Sequence, residues 1–228
     1  VSATASVTVS QVAASITLSA TSLSFSSLGE QQQLSTTVKD QNGATMASAT
    51  VTWSSSNASV ATVSSTGFTN SFLVTSVTEG TATITATSGS ATASATVTVA
   101  QVPATVTLSP TSLSLSSVDD TASLVATVKD SGGNSMPDAT LTWTTSSSLV
   151  ATVSSAGLVT AVADGTATVT ATSGAMSGTA EITVAQVAST VTLSPTSLSF
   201  ASSADTTTLV ATVKDAGGTT ISGATVTW

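Results

Sequence analysis

The hydroxyl groups of serine and threonine are the most abundant side chains in this 228-residue sequence that could act as nucleophiles. The sequence has no histidine and no cysteine, so only a lysine could serve as the base that activates a hydroxyl. The three lysines, Lys39, Lys129 and Lys214, occupy the same outward position in three copies of one motif. Because equivalent surface lysines are typical of a structural repeat, we predict that the protein has no catalytic residues and is not an enzyme.

Asp119 and Asp120 form the one pair of adjacent carboxylates and are the candidate metal ligands. Ca²⁺ prefers six to eight oxygen ligands, and no D-x-D-x-D-G loop supplies them. We therefore expect no cofactor and interpret the pair as part of a solvated turn, with a calcium ion shared at a domain joint as the alternative. Asp40, Asp130 and Asp215 each precede a Gly-containing turn, and we expect their carboxylates to accept hydrogen bonds from the turn backbone.

The aromatic residues suggest two different roles. Trp53, Trp143 and Trp228 end three copies of an alternating strand motif, which predicts that each indole is the core anchor of a small sandwich. A platform that stacks on sugars is the alternative interpretation. Phe68 and Phe72 lie in a segment that only one copy of the motif possesses, and they are the candidate contact loop. The alternative is a loop that folds onto its own sandwich.

Composition and charge exclude several classes of protein. The net charge is -8 and the sequence has no arginine, so nucleic acid is not an expected partner. Without cysteine, the fold depends on its packed core and has no disulfide. No run of 18 apolar residues occurs, so we expect no membrane insertion within this sequence. The opening at Val1, without an initiator methionine, suggests a segment of a longer polypeptide.

The chain is an array of repeats. The phrase "TVKDQNGATMASATVTW" at residues 37–53 returns with small changes at 127–143 and 212–228, and it contains every lysine and every tryptophan. The first copy alone has the insert "FTNSF" at residues 68–72. We predict four parts: the last strand of a preceding repeat (1–12), a first repeat with the insert (13–102), a second repeat (103–187) and the first half of a third repeat (188–228).

Alternating apolar and hydroxyl residues predict β-strands almost everywhere. In "LVATVKD", Leu124, Ala126 and Val128 point inward, while Val125 and Lys129 point outward. Turn signals that contain glycine recur every 8–12 residues or so. About seven short strands per repeat predict an all-β fold of tandem Ig-like β-sandwiches without disulfides.

The order of the motifs resembles a known family, the bacterial Ig-like domains of group 2 that occur in intimin- and invasin-type surface proteins. The matching phrases are "VTLSPTSLSL", "LVATVKDSGGNSMPDATLTW", "SSSLVATVSSAGLVTAVADGTATVTATSG" and "GTAEITV". The resemblance covers almost the whole chain. It implies tandem Ig-like domains outside the cell, in adhesins, surface-layer proteins, spacers of secreted enzymes or phage tail fibres, and it provides no catalytic residues.

Together these features predict a non-enzymatic extracellular structural repeat that forms a rod, stalk or filament of a bacterial surface or adhesin-like protein. The expected partners are other copies of the protein or neighbouring repeats in a fibre. One alternative is an adhesion module that binds a surface glycan or a host receptor through the loop at Phe68 and Phe72. Another is an appendage of a phage virion.

Overall fold

A computed structural model describes residues 1–8 and 10–228, and all regular structure in these residues is β-strand. Within them, no helix has the length and apolar character to cross a membrane. The contacts divide the chain into two compact units. The first contains Val1–Val102 and Lys129–Met136, and the second contains Pro103–Val128 and Pro137–Trp228. The predicted all-β class is confirmed.

The first repeat has eight strands. They are β1 (Ala13–Leu18), β2 (Ser22–Phe25), β3 (Gln31–Asp40), β4 (Thr52–Ser55), β5 (Ala61–Ser65), β6 (Ser71–Ser76), β7 (Gly80–Ser88) and β8 (Ala91–Val99). Two four-stranded sheets form, in the orders β1-β3-β6-β5 and β2-β8-β7-β4. Only β2 and β8 pair in parallel; the other neighbours are antiparallel. The first strand of the sandwich therefore changes sheets between β1 and β2.

The core of the first repeat lies between the two sheets, where one face of each strand is apolar. One buried cluster is built around Leu34, Ile84 and Val97, and a second around Ile16 and Val38. Burying an aliphatic side chain of this size stabilises a fold by roughly 1.5–3 kcal/mol. The alternation of Val and Ala with Thr and Ser along each strand produces these buried faces, because successive side chains of a strand point in opposite directions.

The second repeat follows the same plan, but the counterpart of sheet β1-β3-β6-β5 is divided into shorter strands. They are β9 (Thr105–Ser109), β10 (Ser112–Leu115), β11 (Thr121–Ser123), β12 (Val125–Lys129), β13 (Thr142–Thr145), β14 (Ala151–Val153), β15 (Leu158–Ala161), β16 (Gly165–Ser173) and β17 (Met176–Val184). The strand orders are β10-β17-β16-β13, β11-β15-β14 and β12-β9. As predicted, Leu124 and Val128 are buried, whereas Val125 and Lys129 are exposed.

The third repeat contributes one antiparallel pair to the second unit. Its strands are β18 (Thr190–Ser194) and β19 (Val210–Lys214), and they are equivalent to β1 and β3 of the first repeat. Val213 is buried, and Lys214 lies just before the turn that contains Gly217 and Gly218. This turn is one side of the site described next.

Candidate functional site

The turn after β19 is closed by the carboxylate of Asp215. Asp215 Oδ1 accepts a hydrogen bond of 2.8 Å from the backbone N–H of Thr219. The Asp215 N–H donates to Thr219 O at 2.9 Å, and the Gly218 N–H donates to Asp215 O at 3.1 Å. The predicted role of this aspartate, to stabilise its own turn, is confirmed.

The second oxygen of Asp215 binds groups that lie outside the turn. Asp215 Oδ2 accepts from Gln186 Nε2 at 2.9 Å and from the backbone N–H of Val118 at 3.1 Å. Gln186 lies in the segment between β17 and β18, and Val118 lies in the loop between β10 and β11 of the second repeat. The Asp215 side chain is only 2% exposed. We call this arrangement the Asp clamp: one buried carboxylate, a glutamine side chain and a loop N–H.

A second Asp clamp lies inside the first compact unit and is centred on Asp130. Asp130 Oδ2 accepts from Gln101 Nε2 at 2.8 Å and from the Leu28 N–H at 3.0 Å, while Oδ1 accepts from the Asn134 N–H at 2.8 Å. Asn134 Nδ2 also donates to Leu28 O at 2.9 Å. Asp130 is also 2% exposed. The clamp thus recurs with the same donor types in the same positions.

Asp40 begins a third copy of the motif. Its Oδ1 accepts from the backbone N–H groups of Asn42 and Ala44, both at 2.9 Å, and its Oδ2 accepts from Gln11 Nε2 at 3.0 Å. Unlike Asp130, Asp40 is only half-buried. The aspartate–glutamine pair is therefore present in all three copies of the turn.

Hydrogen bonding favours the ionised form of all three carboxylates. Burial by itself raises the pKa of Asp130, but the hydrogen bonds from Gln101, Leu28 and Asn134 outweigh burial and lower its pKa to about 2. The hydrogen bond from the Gln186 side chain is the main cause that lowers the pKa of Asp215. The bond from Gln11 likewise lowers the pKa of Asp40. Each clamp is therefore built around a charged carboxylate at neutral pH.

Sequence reasoning predicted the turn aspartates but missed the glutamines that bind them. The signal was present, because Gln11, Gln101 and Gln186 each precede their aspartate by 29 residues. The recurrence of glutamine at the same position of each repeat is the signal that pointed to a shared role. The loop N–H donor could not be found in the same way, because a backbone group leaves no trace in the side-chain pattern.

Asp119 and Asp120 lie in the loop between β10 and β11, next to the clamp residue Val118. Asp120 Oδ2 accepts from the N–H groups of Ser116 and Ser117, at 3.1 and 2.9 Å, and Asp119 has a positive φ of 67°. In residues 1–8 and 10–228, no group of three or more acidic, histidine or cysteine side chains is arranged to hold a metal ion. Asp120 thus closes a turn, and the calcium interpretation stays a prediction.

The three tryptophans differ in their surroundings. Trp53 is half-buried and packs against both clusters of the first core, while Trp143 is half-buried on β13. Trp228 differs from the prediction of a core anchor, because its side chain is 76% exposed. Trp53 and Trp143 pair with strands β7 and β16, and residues 188–228 contain no equivalent strand beside Trp228.

The two phenylalanines of the insert also differ from each other. Phe72 lies on β6, opposite Leu34 and Ser65, and its ring centroid is 4.7 Å from that of Trp53. Phe68 lies at the tip of the hairpin and is 74% exposed. The role of this segment as a contact loop stays a prediction. Phe72 is half-buried and contacts Trp53, and Phe68 is the more exposed of the two.

Several solved structures of bacterial surface proteins are similar to this chain. The surface-layer protein SbsC is 23% identical with a TM-score of 0.37, over 92% of this chain and 32% of that one. The Yersinia pseudotuberculosis adhesin InvE is 15% identical with a TM-score of 0.41, over 74% of this chain and 58% of that one. The Escherichia coli adhesin FdeC is 19% identical with a TM-score of 0.41, over 92% and 75%. The chain thus spans about a third of SbsC.

The sequence also matches a family model. No curated protein sequence matches the chain. The model of the bacterial Ig-like domain (group 2) matches twice, over residues 12–99 and 103–184, which is more than half of the chain. Its two matches fall on the two disulfide-free sandwiches described above. The chain therefore belongs to the bacterial Ig-like domain (group 2) family.

Proposed function

We propose that this chain is a non-enzymatic structural segment of a bacterial cell-surface protein, in which the Asp clamp at Asp215 ties the third repeat to the second. The observation that carries the proposal is the buried Asp215 carboxylate, which links the turn of the third repeat to Val118 and Gln186. A spacer or stalk needs such joints, because tandem domains that contact only their neighbours depend on each junction to transmit direction and force.

The clamp is well suited to this role because its strength depends on burial. A charged carboxylate that accepts several hydrogen bonds makes stronger interactions than a neutral acceptor. Exposed ion pairs contribute little to stability, whereas breaking a buried charged network leaves an uncompensated group. Asp215 Oδ2 accepts from Val118 N–H and Gln186 Nε2 and the residue is almost fully covered, so opening the joint breaks both of these bonds.

Replacing Asp215 by alanine tests the joint directly. We expect ¹⁵N relaxation to show greater motion of β18 and β19 relative to the second repeat, while the amides of β16 and β17 keep their order parameters. Asp205→Ala is the matched control, because Asp205 accepts only from the Ala201 and Ser202 N–H groups of its own loop. Unchanged motion of β18 and β19 in Asp215→Ala would refute the clamp.

The outer face of one sheet supports the further proposal that copies of the protein associate in a filament. In sheet β2-β8-β7-β4, the pairings join hydroxyl side chains in rows such as Ser22–Thr96–Thr83. Every outward position of these strands is Ser or Thr: Ser22, Ser24, Thr52, Ser54, Thr81, Thr83, Thr85, Thr87, Thr92, Ser94, Thr96 and Thr98. A face without charge does not repel a second copy of itself.

Sedimentation velocity of the whole chain over a range of concentrations tests association through this face. We expect the wild-type chain to form oligomers, and we expect the double variant Thr83→Lys, Thr96→Lys to be monomeric. The equivalent double change at Thr168 and Glu181 in the second repeat is the control, because Glu181 already places a charge in that row. A strictly monomeric wild-type chain would contradict the filament proposal and leave the Asp215 experiment unaffected.

An adhesion module is the second candidate function, and the exposure of Phe68 favours it. A phenyl ring that is 74% exposed at a hairpin tip is available for contact with a glycan or a receptor protein. Glycan-array and cell-binding assays of the whole chain against its Phe68→Ala variant test this candidate. If the wild-type chain binds and the variant does not, adhesion is favoured. If neither binds, the spacer is favoured. A phage appendage stays a prediction that the neighbouring genes would decide.

A further inference from the structure

The first repeat contains buried polar side-chain atoms that have no hydrogen-bond partner among the described residues. Among the described residues, four buried side-chain atoms lack a hydrogen-bond partner, and three of them are Thr36 Oγ1, Trp53 Nε1 and Asn70 Oδ1 of the first repeat. Thr36 is only 7% exposed. Buried polar atoms are almost always paired, so three unpaired atoms in one repeat require a physical explanation.

These three atoms belong to residues that border the same part of the sandwich. The Thr36 N–H donates to Asn70 O at 3.1 Å, which brings the insert against the middle of β3. Two residues away on each strand, Leu34 pairs with Phe72, whose ring contacts that of Trp53 in a tilted arrangement. Thr36 shares the inward face of β3 with Leu34 and Val38, so its hydroxyl points between the two sheets.

The chemistry of the three atoms is complementary to one water molecule. The indole Nε1–H is only a donor, the amide Oδ1 is only an acceptor, and the threonine hydroxyl can act as either. A water molecule that accepts from Trp53 and donates to Asn70 and Thr36 would satisfy all three atoms. Buried waters typically make about three hydrogen bonds of this kind.

The second repeat is an internal control for this site. Ala126 stands in the position of Thr36, and the five insert residues that include Asn70 are missing. In place of Phe72, which lies opposite Leu34 in the first repeat, Gly157 lies opposite Leu124. Trp143 Nε1 is not among the buried atoms without a partner. The hydroxyl, the amide and the unpaired indole N–H therefore occur together, in the repeat that has the insert.

We propose that the first repeat binds an ordered internal water molecule beneath the insert, held by Thr36 Oγ1, Trp53 Nε1 and Asn70 Oδ1. The water joins the insert to the core. It adds to the hydrogen bonds of the hairpin, which include a 2.7 Å bond from Thr66 Oγ1 to Ser71 O and a 3.4 Å contact from Asn70 Nδ2 to Ala47 O. The proposal is independent of the clamp.

Water–protein NOE spectra of the whole chain test the site. We expect a cross-peak of long residence time between water and the Trp53 indole proton, and none for Trp143. Thr36→Val keeps the shape of the side chain and removes the hydroxyl, and we expect it to reduce this cross-peak at least severalfold. Thr37→Val, on the exposed face of the same strand, is the matched control and should change nothing.

A crystal structure provides the second readout if Thr36→Val does not fold. Electron density for a water within hydrogen-bond distance of all three atoms would support the proposal. Direct hydrogen bonds among the three side chains, without a water between them, would overturn it. So would a Trp53 indole proton without any cross-peak to water in the wild-type chain.

Discussion

The hairpins β5–β6 and β14–β15 occupy the same place in successive sandwiches but cover their tryptophans differently. Val63 pairs with Val74 in one, and Val153 pairs with Val159 in the other. Beyond these pairs, the first hairpin places the ring of Phe72 on Trp53. The second turns at Gly157, where a Cβ would lie only 2.9 Å from Cζ2 of Trp143.

The difference shows that one position in this fold accepts either a large aromatic side chain or a glycine. An aromatic ring covers the indole in the first repeat, and close approach of the bare backbone covers it in the second. What the fold requires is contact with the tryptophan, and hairpin length decides how that contact is made. The following predictions test this interpretation through variants of the two hairpins.

Gly157→Ala should have the largest effect. The new Cβ would lie 2.5 Å from Leu124 O as well as against the Trp143 ring, and Gly157 has a φ of +80° that favours glycine. We expect a loss of about 3 kcal/mol in the stability of the second repeat. Native-state hydrogen exchange of the Val159 and Val169 amides measures it.

Gly67→Ala separates the backbone strain from the clash. Gly67 has a similar φ of +87°, but a Cβ there meets nothing within 4 Å. We expect a loss of about 1 kcal/mol, from the left-handed conformation alone. If Gly157→Ala costs no more than Gly67→Ala, close packing on Trp143 is not what the glycine provides.

Phe72→Ala should have the next largest effect. The substitution removes a half-buried ring and its contact with Trp53, which we expect to destabilise the first repeat by about 2 kcal/mol. Phe68→Ala removes the same side chain from an exposed site and should stay within about 0.5 kcal/mol. Hydrogen exchange of the Val74 amide reports both variants, and equal losses would contradict the different roles of the two rings.

Deleting the whole insert, residues 68–72, should cost less than the single change Phe72→Ala. The deletion leaves Gly67 directly before Leu73, as Gly157 stands directly before Leu158. Its backbone can then pack on Trp53 as Gly157 packs on Trp143, and the shorter loop is slightly easier to close. We expect a loss below about 1 kcal/mol by the same exchange measurement. A loss as large as that of Phe72→Ala would mean that the two hairpins are not interchangeable.

The sequence predicts the sandwich well and the hairpins poorly, for a physical reason. Period-two alternation determines which face of a strand is buried, so Leu34, Leu124 and the inward side of β7 follow from pattern alone. Whether Phe72 joins the core depends on where the hairpin turns, and an insert of five residues allows more than one answer.

The candidate site was also only partly predictable. The turn aspartates were identified because an Asp before glycines has a local explanation within four residues. The partners of Asp130 lie 29 and 102 residues away, at Gln101 and Leu28, and no local rule connects them. Repeat spacing is the one signal that could have found the glutamine.

Acid titration extends the comparison of the repeats to their turns. Because hydrogen bonds lower the folded-state pKa of Asp130 to about 2, below an unfolded value of about 3.9, the clamp contributes stability that is complete above about pH 4. That contribution decreases as the pH falls from about 4 towards 2, where the folded carboxylate becomes protonated.

Carboxyl ¹³C shifts followed by NMR measure the pKa of each aspartate separately. Gln101→Ala removes a donor and should move the midpoint of Asp130 upward, whereas Gln11→Ala should move only that of Asp40. A midpoint of Asp130 near its ordinary value in the wild-type chain would show that the clamp carboxylate is solvated and would contradict the clamp.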